Sequence, residues 1–359
     1  MSVTQKDIAR ALNMSQSMVA GVLGNRKDVW ASPEKRKLIF EQAESMGYRP
    51  NTAARRLRRG TSESVGLFVL HPPGASWNEY GNVVTILAQF LNARGYELNL
   101  KTFSDPDALF EGLGETARAG LCDVFILCAS ATEMKRQAAL LEELKVPYII
   151  LGSLDDPEST APQVDFDHNW LMERCVAHVA ARGHSRIAYF GHDTQEYYAR
   201  HLREGFNIAL QKTFGQSCPE EFYGLTDKDR GKEAETAALG WMTLPVDKQP
   251  TAIVMGASDD KSWFGLEVGL VRRGKRMGVA PNQICVAGLH ATDNALLFGD
   301  ADAFSDINLL DLARELCETL LAPLLKGQKP HNNRVRVYPA IKALPSLQLL
   351  SYLDYKKSV

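Results

Sequence analysis

Residues Val3–Asn25 read V-T-Q-K-D-I-A-R-A-L-N-M-S-Q-S-M-V-A-G-V-L-G-N, two short helical patterns joined by a tight turn. Thr4 is an N-cap residue, with Asp7 three positions on as the returning acid of a capping box. Ile8, Ala9 and Leu12 then fall on one helical face. Asn13-Met14 makes the turn. Ser15 is a second N-cap, and Val19, Val22 and Leu23 give the next helix its apolar side until Gly24 and Asn25 end it. Ser32-Pro33 starts a third helix, with proline at the first helical position. Leu38, Ile39, Ala43 and Met46 supply its face, and Gly47 stops it. Two helices across a tight turn with a third packed on them describe a helix-turn-helix head, with the second helix as the major-groove reader. The reader's outward positions are expected to be Gln16, Ser17, Ala20 and Gly21. A generic three-helix module is the alternative.

Charge separates the two. The whole chain of 359 residues nets only −2, yet its first 60 residues net +7 and the remainder nets −9. A basic head on an acidic body points to a polyanionic partner for the head alone. The head runs on into Asn51-Thr52-Ala53-Ala54-Arg55-Arg56-Leu57-Arg58-Arg59-Gly60, one leucine among four arginines. So short a helix is marginal by itself in water. It suits either a solvated basic linker or a minor-groove wedge, in which Leu57 unstacks a base step while arginines hold the backbone.

From residue 65 the pattern changes to strand and helix in alternation. Strand-like runs are Val65–Leu70, Tyr96–Lys101, Cys122–Cys128, Pro147–Leu151, Arg186–Phe190, Thr251–Met255 and Gln283–Ala287. Helical stretches separate most of them, which implies α/β architecture with parallel sheets and helices on both faces. Nearly 300 residues are more than one sheet usually carries, so two lobes are expected. A hydrophobic content of 45% and a charged content of 23% exclude disordered and collagen-like classes. The six cysteines are scattered without a C-x-x-C pair, which favours reduced thiols over disulfides or zinc ligands. No window is long and apolar enough for a membrane span, and the polar start lacks a signal-peptide core, so the expected location is the cytoplasm.

The head motif V-T-x-x-D-I-A-x-x-x-x-x-S and the later G-Y-R-P-N-x-x-A-R-x-L-R-x-G resemble the LacI/GalR family of bacterial transcriptional regulators. Looser matches continue to about residue 346, among them Gly183–Ala188, Gly205-Phe206, Ser258-Asp259-Asp260 with Gly265, and Val279–Ile284. The resemblance implies a helix-turn-helix domain over 1–49 and a hinge helix and linker over 50–62. Residues 63–359 would form a two-lobed, periplasmic-binding-protein-like effector and dimerisation domain. The chain would cross between its lobes near 162, 292 and 332. It implies that Ser15, Gln16 and Ser17 face the major groove, and that Thr4, Gln5, Asn25, Ser32, Lys35 and Asn51 approach phosphates or groove edges. Arg55, Leu57 and Arg58 would form a hinge that folds on operator DNA. One departure stands out. The family usually carries V-S-R in the reading helix, where arginine reads guanine. Here the run is Val19-Ala20-Gly21, and the loop to the third helix is one residue longer than usual.

The same resemblance places an effector between the lobes, with Tyr80, Arg200, Asp260, Trp263 and His290 as candidate contacts. Leu202 stands where the family usually has an arginine, and Gly288-Leu289-His290-Ala291 replaces its acidic run. Trp263 could equally be core, His290 a loop residue and Asp260 a helix cap. Aromatics beside polar groups suit a sugar or other planar-faced ligand. No Walker loop, H-E-x-x-H, G-x-S-x-G or Cys/His cluster occurs, and no cofactor is expected. Three functions compete on these residues. The leading one is a ligand-modulated regulator, acting as a homodimer on a pseudo-palindromic double-stranded operator and in most such families a repressor. The others are an α/β enzyme with a regulatory DNA-binding head, and a pure solute-binding protein, which the basic head opposes.

Overall fold

The computed structural model describes residues 3–24, 29–48, 60–71, 78–227, 229–257, 260–277, 285–290, 301–306, 309–338 and 340–343. The chain divides into two compact units, Met1–Thr61 and Ser62–Val359.

The first unit holds α1 (Gln5–Ala11), α2 (Gln16–Leu23) and α3 (Pro33–Ser45). Each helix starts where its cap dictates. Thr4 and Asp7 form the full capping box, Ser15 accepts from the Met18 amide, and Ser32 accepts from the Lys35 amide with Pro33 next in line. Ile8, Ala9, Val19, Val22, Ile39 and Ala43 close one small core among the three helices. Asn51, Arg55, Leu57 and Arg58 of the expected hinge, and Asn25, lie outside the described residues.

The second unit contains two six-stranded sheets. The first runs in the order β11-β5-β4-β3-β1-β2. These are β1 (Ser64–Leu70), β2 (Glu97–Phe103), β3 (Val124–Cys128), β4 (Tyr148–Leu151), β5 (Gln163–Phe166) and β11 (Arg334–Val337), all parallel. The second runs β12-β10-β9-β8-β6-β7. It contains β6 (Ile187–His192), β7 (Tyr223–Thr226), β8 (Ala252–Met255), β9 (Cys285–His290), β10 (Ala301–Asp306) and β12 (Ala340–Ala343). Only β12 pairs antiparallel in it. The helices are α4 (Asn78–Asn92), α5 (Pro106–Arg118), α6 (Ala131–Glu143), α7 (His168–Ala181), α8 (Tyr197–Phe214), α9 (Arg230–Thr243), α10 (Asp260–Met277) and α11 (Leu309–Glu315).

Strands buried on both faces must be apolar on both. In β1, Val65, Leu67 and Val69 face one cluster while Phe68 faces another with Phe125 and Leu127. The first of these clusters is continuous through both lobes, joining Leu87 and Val164 to Val176, Ile187, Leu202 and Phe206. In the second lobe α9 and α10 pack at very short range. A Cβ on Gly265 would stand 1.9 Å from the Gly231 carbonyl oxygen, so glycine is required where the helices cross.

The chain passes from the first sheet to the second after Phe166, returns after Asp306, and crosses again after Val337. All three passages come later than the expected positions 162, 292 and 332. Strands β5, β10 and β11 account for this, because each adds itself to its lobe before the chain leaves.

Candidate functional site

Two surfaces matter, one in each unit. In the head, Gln16 and Ser17 are exposed at the start of α2, and Thr4 and Lys35 are exposed at the starts of α1 and α3, while Gln5 and Ser32 are half-buried. The Thr4 hydroxyl donates to Asp7 at 2.6 Å and accepts from its amide at 3.3 Å. That hydroxyl bond holds the Asp7 carboxyl below its usual range. Ser15 and Ser17 hydroxyls lie 3.1 Å apart. A capping hydroxyl accepts from the helix and keeps its own proton to donate. The Ser32 hydroxyl gives that proton to the Glu34 carboxylate, which it holds below its usual range, and the Ser15 hydroxyl lies beside that of Ser17. Gly21, expected to face outward, is buried instead. Its Cβ position lies 2.4 Å from Val29 Cγ2, because the segment before α3 folds over the end of α2.

In the body, the carboxyl ends of the two parallel sheets face each other, the place where open α/β sheets bind ligands. Several contacts cross this cleft. The Ala131 amide, opening α6 after β3, donates to Glu196 Oε2 at 3.4 Å. Arg200, in the first turns of α8 after β6, donates to the Asp155 carboxylate on the loop after β4. The His201 ring approaches the same carboxylate at 3.9 Å. Arg336 on β11 donates to the Tyr197 hydroxyl at 3.0 Å and lies 3.7 Å from Asp165 on β5. Tyr197 stacks on His201, with centroids 4.1 Å apart, and meets His168 edge-on. Thus the start of α8 in the second lobe is tied to the first lobe beside two of the passages between them.

Asp165 and His168 are the buried end of this cluster, with His168 Nδ1 and Asp165 Oδ2 4.0 Å apart. Desolvation dominates both. It pushes the Asp165 carboxyl up, against the pull of His168 and Arg336, and pushes the His168 imidazole down, against the pull of Asp165. Both guanidiniums of the cluster face carboxylates. The cluster is therefore close to charge-balanced, and suited to hydrogen bonding and stacking more than to capturing an anion.

Of the sequence candidates, Arg200 joins this cluster. Trp263, a candidate for the cleft, is instead a core residue. It is 3% exposed among Ala234, Ala238, Ile253 and Leu266, because α10 turns that face onto its own sheet. Tyr80 lies in α4, Asp260 opens α10 and His290 closes β9. Those places adjoin the cleft-facing strand ends, and the side chains lie outside the described residues. Leu202 is 2% exposed in the shared core, so an aliphatic side chain fits where the family has arginine. Asp155, Asp165, His168, Glu196, Tyr197, His201 and Arg336 escaped the sequence reading. Their only shared property is spatial. Among the described residues, no group of three or more His, Cys, Asp or Glu could hold a metal. None of their helices is long and apolar enough to cross a membrane.

A small helix-turn-helix unit together with two parallel-sheet lobes around a cleft defines a DNA-binding head on a body of the periplasmic-binding-protein type. The model for the periplasmic binding proteins and sugar binding domain of the LacI family matches residues 62–339, and the chain belongs to the LacI family of transcriptional regulators. It is 27% identical over 275 residues to the HTH-type transcriptional regulator RafR of Escherichia coli, covering 76% of this chain and 78% of that one. It is 24% identical over 323 residues to the regulator MalR of Streptococcus pneumoniae, covering 89% and 92%. The lac repressor bound to ONPG superposes with a TM-score of 0.75 at 16% identity, covering 95% of this chain and 98% of that one. The CelR–cellobiose complex does so with a TM-score of 0.63 at 18% identity, with the same coverage. At those identities the structural likenesses establish the fold.

Proposed function

We propose that this protein is a cytoplasmic, homodimeric, sequence-specific DNA-binding repressor whose operator affinity is set by a neutral, sugar-class molecule held between its lobes. The observation that carries this reading is the pairing of an exposed, correctly capped α2 start with a cleft whose cations are already matched by carboxylates. Two heads on a two-fold dimer would each take one half-site of a pseudo-palindrome. Gln16 and Ser17 read base edges, Thr4, Gln5, Ser15, Asn25, Ser32, Lys35 and Asn51 position the head on the backbone, and Arg55, Leu57 and Arg58 complete the hinge. Arg200, Tyr80, Asp260 and His290 are the proposed effector contacts. Ligand exchange in the cleft alters the lobe arrangement and so the hinge, a coupling that in such systems is about 1–3 kcal/mol.

The test is selection of duplex sites from a random pool by the full-length protein. Binding of the winner is then compared with random DNA at two salt concentrations. A palindrome with a steep preference is expected. Binding that is equally salt-sensitive on every sequence would leave only electrostatic attraction and overturn the reading. A panel of neutral mono- and disaccharides, scored by shift of the body's thermal transition and of operator affinity, tests the effector class. Sugar phosphates alone giving the shift would overturn the neutral-ligand assignment, and turnover of any sugar would overturn the regulator-only assignment.

A further inference from the structure

Position 21 lies one helical turn beyond Ser17, on the same side of α2. A side chain there would project beside Ser17 onto the face that reads DNA. In this chain the position is glycine, and Val29 occupies the space. A Cβ on Gly21 would meet Val29 Cγ2 at 2.4 Å, Cβ at 2.7 Å and Cγ1 at 2.8 Å. These are not the tip of a long flexible side chain, so the residue before Trp30 rests directly on the helix backbone. Arg36 of α3 reinforces the seat by donating to the Val29 carbonyl oxygen at 3.4 Å. Val29 is half-buried by this contact. Its neighbour Trp30 is turned out and 82% exposed, the most exposed large apolar side chain among the described residues. Two residues later Ser32 caps α3, its hydroxyl accepting from the Lys35 amide.

Trp30 is an exposed indole on a unit of net charge +7, where a polyanion is drawn to the surface around it. The partner that fits is the polyanion itself. Indole has a broad apolar face for deoxyribose and the thymine methyl, and one N–H donor for a phosphate or base acceptor.

We infer that Trp30 is a DNA-contacting, specificity-determining residue, seated beside the reading helix by the Gly21–Val29 contact. This rests on the DNA-binding reading above. Glycine at 21 and tryptophan at 30 then form one device. The small residue lets the segment come down, and the segment delivers the aromatic ring to the groove edge. Indole has no bidentate pattern for guanine, so the half-site position it faces carries a thymine preference, read through the methyl group.

The experiment uses the full-length protein, its selected operator and a scrambled duplex of equal length. Trp30 is the only tryptophan before residue 77, so the emission lost in Trp30→Phe reports this site. Operator binding is expected to quench that component. Trp30→Ala is expected to weaken the operator about tenfold, to change the scrambled duplex less than twofold, and to flatten one thymine-selecting position when the pool is reselected. An unchanged motif and affinity with unquenched emission would overturn the inference, and equal losses on both duplexes would reduce Trp30 to nonspecific packing. Gly21→Arg supplies the second arm. It is expected to lose operator affinity and Trp30 quenching together, because Val29 must leave its seat. A gain of guanine preference with Trp30 quenching intact would overturn the coupling. Amide exchange in residues 5–23 checks that each variant keeps its helices. If the wild-type protein enriches no site at all, the DNA-binding reading has failed, whereas an enriched site indifferent to Trp30 sinks this inference alone.

Discussion

The head and the cleft are assembled by opposite means. Each cap of the head joins residues three apart, Thr4 to Asp7, Ser15 to Met18 and Ser32 to Lys35. The bonds across the cleft join residues 45, 65 and 139 positions apart, Asp155 to Arg200, Ala131 to Glu196 and Tyr197 to Arg336. Local bonds announce themselves in a sequence and form wherever the helix forms. Distant bonds exist only once both sheets are in register, and they change whenever the lobes move. A regulator needs both, a head with one fixed shape and a body with more than one arrangement.

The most forceful way to break the comparison is to empty the head's core. Ile8 is fully buried among Val19, Val22 and Ile39. Ile8→Ala removes most of that side chain from a unit with little apolar area to spare, at about 2–5 kcal/mol. Calorimetry of the full chain should show the head's transition lost or moved far down in temperature and the body's transition in place. A single transition shifted as a whole would mean that the two units do not unfold independently.

The matching lesion in the body is Gly265→Ala. The added methyl meets backbone, the Gly231 carbonyl oxygen at 1.9 Å, so α9 and α10 must separate rather than a side chain rotate. The expected cost is about 1–3 kcal/mol in urea unfolding, with operator binding by the head weakened far less. Stability equal to wild type would show that the crossing has slack which its geometry does not display.

How much of this could be read from the chain follows from the same contrast. The three helix starts of the head were legible because serine, threonine, aspartate and proline act within one turn. Gly21 was not, since a glycine on an outward-looking stripe gives no sign that Val29 will cover it. The strand-like runs identified strands with a largely apolar core, whereas β5, β7, β10, β11 and β12 interleave polar residues such as Gln163, Asp165, Arg334 and Arg336. Only their neighbours in the sheet make them strands, and without them the lobe passages were placed too early. In the cleft, Arg200 was a candidate only through the family resemblance, two residues away from Leu202, which stands where the usual arginine would be. Its partner Asp155 lies in an Asp-Asp-Pro turn that looks like any solvated loop. Trp263 was misread because α10 turns that side toward core, which the sequence of one helix does not state.

A smaller effect separates the buried end of the cleft cluster from its exposed end. His168 is buried against Asp165, Arg336, His201 and the Tyr197 ring, and desolvation holds its imidazole below the ordinary 6.5. As pH falls below about 6.5 the unfolded chain takes up this proton before the native protein does. Stability contributed by the neutral ring is therefore full above that pH and is lost on acidification down to the lowered native value. The slope from one proton is at most about 1.4 kcal/mol per pH unit. Urea unfolding of the body at pH 7 and pH 5 should show His168→Gln losing less on acidification than wild type. Parallel losses in the two proteins would mean that this histidine titrates alike in both states.

The gentlest perturbation is at the exposed end, where Arg200 and Asp155 are each about a third exposed, at 32% and 38% of their side chains. Solvent screens such a pair, and its expected worth is about 0.2–1 kcal/mol. A double-mutant cycle with Asp155→Ala and Arg200→Ala should return a coupling of that size. Its location matters more than its size. The pair spans the lobes, so its removal should raise amide exchange at Ala131 as well as around Asp155, since Glu196 reaches Ala131 from the same end of α8. Faster exchange at both places would mean that α8 holds the first lobe as a unit. Exchange altered around Asp155 alone would make the pair an ordinary surface contact. The cleft would then be governed from its buried end, by Arg336 between Asp165 and Tyr197.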